Sequence, residues 1–207
     1  MSYKKFKISD LENHLKLNVS MQKWLPDTMP TFPKDELLLQ NLFYAETESL
    51  HSEKARSEFI IAPTLQALRR QNMDKFTLFS GYEFNVDKKS DLNGFCDYII
   101  SAKTHKLTIQ APIFCIVEAK KIEPSYDDFA QCGAEMYAAQ LHNAQEAFPN
   151  NIIFGCATSG FSWAFLHLQN NHLRIDPNYI PLTFKNPFLV LELLQWIIDQ
   201  SITHTTP

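Results

Sequence analysis

The chain has no apolar run approaching the roughly 20 residues needed to cross a bilayer. Its opening, "MSYKKFKISDLENH", is basic with no apolar segment behind it, so neither a membrane anchor nor a secretory signal is predicted and a cytoplasmic protein is expected. Paired cysteines are also missing. Cys96, Cys115, Cys132 and Cys156 are scattered without CxxC or Cys/His spacing, which argues against a zinc site and against a secreted disulfide framework. They read as small buried hydrophobes. Strand alternation is expected to point Cys96 and Cys115 away from the faces of Asp97 and Glu118, which argues against an iron–sulfur cluster. An excess of positive charge is lacking too: 19 Lys and Arg stand against 23 Asp and Glu, for a formal charge of -4. Any polyanion site must then be local. "GCATSGFSW" has neither the G-x-S-x-G elbow nor a Walker loop, and His142, His167 and His172 have no metal-ligand spacing.

With 207 residues, 45% apolar and 13% aromatic, the chain is long enough for one well-packed domain. Residues 1–50 read as an N-terminal helical extension packed on the core: Pro26, Pro30 and Pro33 precede a helical pattern at Leu37, Leu38, Leu42 and Ala45. A second helix lies in "SEKARSEFIIAPTLQALRR", with Ser52 as N-cap and a kink expected at Pro63. Three strands follow, in "KFTLFSGYEFNV", "FCDYIIS" and "IFCIVEAK", and consecutive strands suggest a meander. "PSYDDFAQCGAEMYAAQLHNAQEAF" is a long helix with Asp127 or Asp128 at its positive end and a stop at Pro149 and the asparagines after it. Two strands joined by a Ser-Gly turn, an edge segment "HLRIDPNY" and a closing helix "NPFLVLELLQWIIDQ" complete the order. The expected fold class is α/β (α+β), a mixed central β-sheet flanked by helices.

Side chains two apart on a strand share a face, so Glu118 and Lys120 in "IFCIVEAKK" stand about 7 Å apart on one side. Alone, such a pair reads as an exposed ion pair of little energetic weight. Asp97, however, interrupts the apolar run of the preceding strand just after Asn93-Gly94, and in a meander it comes beside Glu118. Two close carboxylates raise one pKa or call for a cation. Oxygen ligands suit Mg2+ or Mn2+. A lysine beside such an ion orients a water and offsets charge on a phosphate in the transition state.

With "LNGFCDYIIS", then "IFCIVEAKK", then a helix opening "FAQCGAEMYAAQ", the chain resembles the PD-(D/E)XK nuclease superfamily. Within it, the chain looks like the restriction-endonuclease-like domains similar to the N-terminal nuclease domain of type I restriction enzymes (the R subunit). The likeness runs from Ser52 to Leu168 and implies an αβββαβ core within a unit at residues 51–207. It also implies that Asp97 and Glu118 are metal ligands, that the Ala119 carbonyl completes the metal shell, and that Lys120 is the catalytic lysine. Gln131 fits the glutamine of the second core helix, and Glu53 or Glu58 the glutamate of the first. The chain departs from the pattern at Glu135, where a glutamine-x-x-x-tyrosine motif would place tyrosine. Glu135 either adds a carboxylate to the site, pairs with Lys120 or Lys121, or is a solvated helix charge. The implied function is a Mg2+-dependent (or Mn2+-dependent) endonuclease acting on nucleic acid, with DNA as the expected substrate, in restriction, defence or DNA processing. A separate recognition or helicase partner would supply specificity, and a homodimer stays open. The competing reading is a catalytically inactive nuclease-fold module that binds nucleic acid or a protein partner, which the acidic net charge favours.

Overall fold

The computed structural model describes residues 2–148 and 151–205. The elements run α1 (Ile8–Asn13), β1 (Asn18–Met21), α2 (Glu36–Ala45), α3 (Glu53–Arg56), a π-helical turn (Ser57–Ile61), α4 (Ala62–Gln71), β2 (Thr77–Glu83), β3 (Phe95–Ser101) and β4 (Ile113–Ala119). They continue with α5 (Tyr126–Gln145), β5 (Ile152–Thr158), β6 (Ser162–Gln169), β7 (His172–Pro181) and α6 (Phe188–Thr205). All seven strands form one mixed sheet in the order β1-β7-β6-β5-β4-β3-β2. The β1–β7 and β4–β5 pairs are parallel and the others antiparallel. The chain is therefore α/β, and β2, β3 and β4 form the expected meander.

Each face of the sheet carries its own core. On one, Leu38 and Leu42 of α2, Leu65 and Leu68 of α4, and Leu191 and Leu194 of α6 pack on Phe114, Val117 and Phe165. On the other, Leu11 of α1 and the buried residues of α5 pack on Ile99, Ile116 and Leu166. Helix α5 lies close to β5 because position 155 is glycine: a Cβ there would collide with the Met136 sulfur. Strand β4 runs through the middle with both faces covered, so its apolar residues need no alternation with polar ones.

Three local expectations are refined by what is found. The segment over His172–Pro181 is an edge only in its second half, because β1 pairs outside its first residues, from Asn18↔His172 to Met21↔Ile175. Residues 2–50 thus supply a sheet strand as well as helices. The helix through Pro63 departs from α geometry in a wider π turn just before the proline, where its ring would otherwise press on the carbonyl four residues earlier. Helix α5 ends at Gln145, and the stop assigned to Pro149 and Asn150 lies outside the described residues. No helix among the described residues is long and apolar enough to cross a membrane.

Candidate active site

The C-terminal end of β4 meets the first turns of α5. Ser125 and Asp128 start that helix with a capping box: Asp128 Oδ2 accepts from the Ser125 backbone N–H at 2.8 Å and from its hydroxyl at 2.7 Å. Residues 128, 131 and 135 then fall on one helical face, and that face looks onto Glu118 and Lys120. Lys120 Nζ donates to Glu118 Oε1 at 3.0 Å and to Gln131 Oε1 at 2.8 Å, and lies 3.5 Å from Asp128 Oδ1. Gln131 Nε2 in turn donates to Glu118 Oε1 and, at 3.1 Å, to Glu135 Oε1. Glu118 is 2% exposed and Glu135 is fully buried, yet Oε2 of each has no hydrogen-bond partner.

Burial pushes the Glu118 carboxyl up, the Asp97 charge adds to it, and Lys120 opposes; the balance lies at about 8. Burial likewise raises Glu135 well above the ordinary carboxyl range, with repulsion from Glu118 adding to it and the Gln131 hydrogen bond opposing. Removed from water and facing each other, both carboxyls favour their neutral forms unless a cation joins them. Burial works against the Lys120 charge, but Glu118, Asp128 and Glu135 outweigh it and hold the ammonium above its usual range. With Glu118 neutral, Gln131 and Asp128 remain as partners of Lys120.

Asp97 reaches this cluster from the opposite side. The last paired residues of β3 and β4 are Tyr98↔Val117, and just beyond them Asp97 Oδ2 accepts from the Ala119 backbone N–H at 2.8 Å. The half-buried Asp97 opens into a cleft of about 300 Å³ between β2 and the helical segment 53–62, where Glu53, Glu58, Ser80 and Ala119 also line the wall. Ser57 in the π turn closes one end through a 2.6 Å hydroxyl contact with Tyr98 Oη. Glu53 is half-buried, whereas Glu58 is exposed and pairs with Lys54 at 3.0 Å.

The alternation expected around Asp97 fails. Gly81, with φ +60°, stands opposite Asp97 in the ladder, between the pairs Ser80↔Tyr98 and Tyr82↔Cys96. Tyr98 belongs to the core under α4, but Cys96, two residues away, belongs to the core under α5. The strand pair changes face at Gly81–Asp97, which only glycine permits without backbone strain. Cys96 is thus not turned away from Glu118: after burial, the charges of Glu135 and then Glu118 hold its thiol protonated. Its pKa lies well above the usual value, as for Cys132 and Cys156, so these are not metal-ready thiolates.

Asp97, Glu118, Ala119, Lys120 and Gln131 are all gathered at this sheet end, and Glu53 and Glu58 line the cleft on the Asp97 side. Glu135 is part of the buried cluster and not a solvated helix charge. Asp127 or Asp128 is expected only as a helix-dipole partner, yet Asp128 joins the cluster, and its spacing of three from Gln131 and seven from Glu135 puts it on their helical face. Among the described residues, no group of three or more His, Cys, Asp or Glu side chains is arranged to hold a metal ion. The two carboxylates Asp97 and Glu118 with the Ala119 carbonyl nonetheless fit a hard divalent ion in donor type, and the free Glu118 Oε2 is a buried oxygen lacking a partner. Compared with known proteins, the chain matches no family model and no curated protein.

Proposed function

We propose that the chain is a divalent-metal-dependent nuclease that hydrolyses phosphodiester bonds of nucleic acid, with DNA as its substrate, on a restriction-endonuclease-like core. One observation carries the reading: two buried carboxyls, Glu118 and Glu135, each keep an unpartnered oxygen beside the Lys120 ammonium, which donates to Glu118 and Gln131. Asp97, Glu118 and the Ala119 carbonyl would hold Mg2+ or Mn2+. Such an ion supplies Lewis-acid stabilisation of phosphate oxygens and a more acidic bound water. Lys120 stays cationic, so it serves as a donor that orients the attacking water and offsets charge growing on the phosphate, not as a base. Gln131 and Asp128 are positioning residues for that ammonium. Glu53, half-buried on the Asp97 cleft, is the first-helix glutamate of this site, and Glu58 at the outer rim is its less favoured substitute. Recognition of particular sequences would come from a separate partner.

A second reading has its own support. The Asp97–Ala119 bond and the Lys120 bonds to Glu118 and Gln131 satisfy these groups internally, as in a module that binds without cutting. Incubation with linear, circular and single-stranded DNA and with RNA, with and without Mg2+ or Mn2+, separates the two. The parent is expected to cut only with metal, and Asp97→Ala and Lys120→Ala each to lose about 100-fold or more. Equal activity in parent and variants would sink the mechanism. Salt-dependent binding with no metal-dependent cleavage would select the binding module.

A further inference from the structure

Arg69 and Arg70 are neighbours in α4 with opposite circumstances. Arg70 is committed to Asp35, with Nε and Nη2 donating to its two carboxylate oxygens at 2.9 and 2.7 Å. The Arg69 guanidinium instead lies 5.5 Å from the centroid of the Phe76 ring, and its buried Nη1 has no hydrogen-bond partner. Arg69 Nη1 thus holds no acceptor that an anionic ligand of this side chain would have to displace.

Arg69 borders a cavity of about 550 Å³ between α4 and β2. That is within the range of small-molecule sites. Met73, Leu78 and Tyr98 make its walls mostly carbon, and the cavity adjoins the Asp97 cleft, with Ala62, Ser80 and Tyr98 in the wall common to both. An apolar chamber bordered by a guanidinium with one nitrogen lacking an acceptor selects a ligand that has a flat, weakly polar body and an anionic group. A nucleotide has both: Arg pairs with phosphate through parallel N–H donors, and a base packs on apolar and aromatic side chains.

We propose that this cavity is a nucleotide subsite that takes one unpaired nucleotide of the substrate strand next to the bond to be cut, with Arg69 on its phosphate. The identity of that strand rests on the nuclease reading, but occupancy itself needs no metal. A base lodged between Met73 and Leu78 cannot be stacked in a duplex, so the substrate class is a single strand or a frayed end.

The test is calorimetric titration of the full chain in EDTA with dTMP and dAMP, with the matching nucleosides, and with inorganic phosphate. Arg69→Met, which keeps an apolar stem, and Ser80→Phe, which fills the wall shared with the cleft, are titrated alongside. The nucleotides should bind, nucleoside and phosphate should each bind about tenfold more weakly or worse, and both variants should lose about tenfold or more while still unfolding cooperatively in a thermal melt. No saturable nucleotide binding at millimolar concentration, or binding indifferent to both variants, would overturn the subsite. Metal-dependent DNA cleavage by the parent is measured in parallel. Cleavage without nucleotide binding overturns the subsite and leaves the nuclease reading standing. Nucleotide binding without cleavage keeps the subsite and removes the nuclease reading.

Discussion

The buried carboxyls make metal-free stability fall as pH rises. Glu118 has its folded pKa raised from 4.5 to about 8, so its contribution is fully present below 4.5 and is lost as pH climbs through about 8. At about 1.4 kcal/mol for each pH unit, that window is worth about 5 kcal/mol for Glu118, with Glu135 adding in the same direction. For a domain stable by roughly 5–15 kcal/mol, this is a large share. The depressed pKa values of Asp35 and Asp176 act only below this window. His142, whose burial lowers its pKa, works in the opposite direction near pH 6.5. Urea denaturation in EDTA at pH 5 to 9 should therefore show stability declining in the parent. Glu118→Gln with Glu135→Gln should remove most of the decline, and the difference between the two proteins cancels the His142 contribution. Mg2+ or Mn2+ at about 100 times its dissociation constant should restore roughly 2.7 kcal/mol to the parent at pH 8. At pH 5 it should restore little, because protons compete for the same oxygens, and it should do nothing for the double variant. A parent whose stability is flat or rises from pH 5 to 8, or a double variant with the parent's slope, would refute the reasoning.

Three smaller predictions follow from single contacts. Gln131→Leu keeps the shape but strips Lys120 and Glu118 of a shared partner, which should cost about 1–3 kcal/mol in urea denaturation and lower any cleavage rate without changing the metal requirement. Gly155→Ala should destabilise by about 1–3 kcal/mol through collision with Met136, and adding Met136→Ala should recover part of that loss in the same assay. Asp35→Ala removes both the N-cap of α2, where Leu38 N–H is 2.8 Å from Asp35 Oδ1, and the Arg70 pair. Thermal unfolding should report about 2–4 kcal/mol lost, more than Asp35→Asn, which retains the cap.

Much of the site could be read from the chain because its residues interrupt regular patterns. Asp97 breaks an apolar strand, and Glu118 and Lys120 end another, so two strands and their approximate register sufficed to bring the three together. Two features could not be read that way. Strand β1 is four residues, mostly exposed, with no period to detect, and it exists only because β7 offers it an edge. The face change at Gly81–Asp97 is set by one backbone conformation in a neighbouring strand, so counting by twos along β3 put Cys96 on the wrong side. Glu135 fits either a place in the site or a solvated helix face by sequence, and only the approach of α5 to β4 decides between them. That approach depends in turn on Gly155, in yet another strand.

The pairing of Asn18–Met21 with His172–Ile175 also orders events in time. Its two halves are separated by about 150 residues, and the earlier half leaves the ribosome long before its partner exists. Closing so large a loop comes late in folding and contributes little until the rest of the sheet is in place. Until then β7 presents open backbone along the same stretch, so the first residues of one chain and those of a neighbouring copy compete for a single strand edge. The segment at residues 18–21 thus acts as the latch of the sheet. Crowded expression is where its lateness would be felt, as exchanged or aggregated chains whose β4–α5 end is otherwise intact.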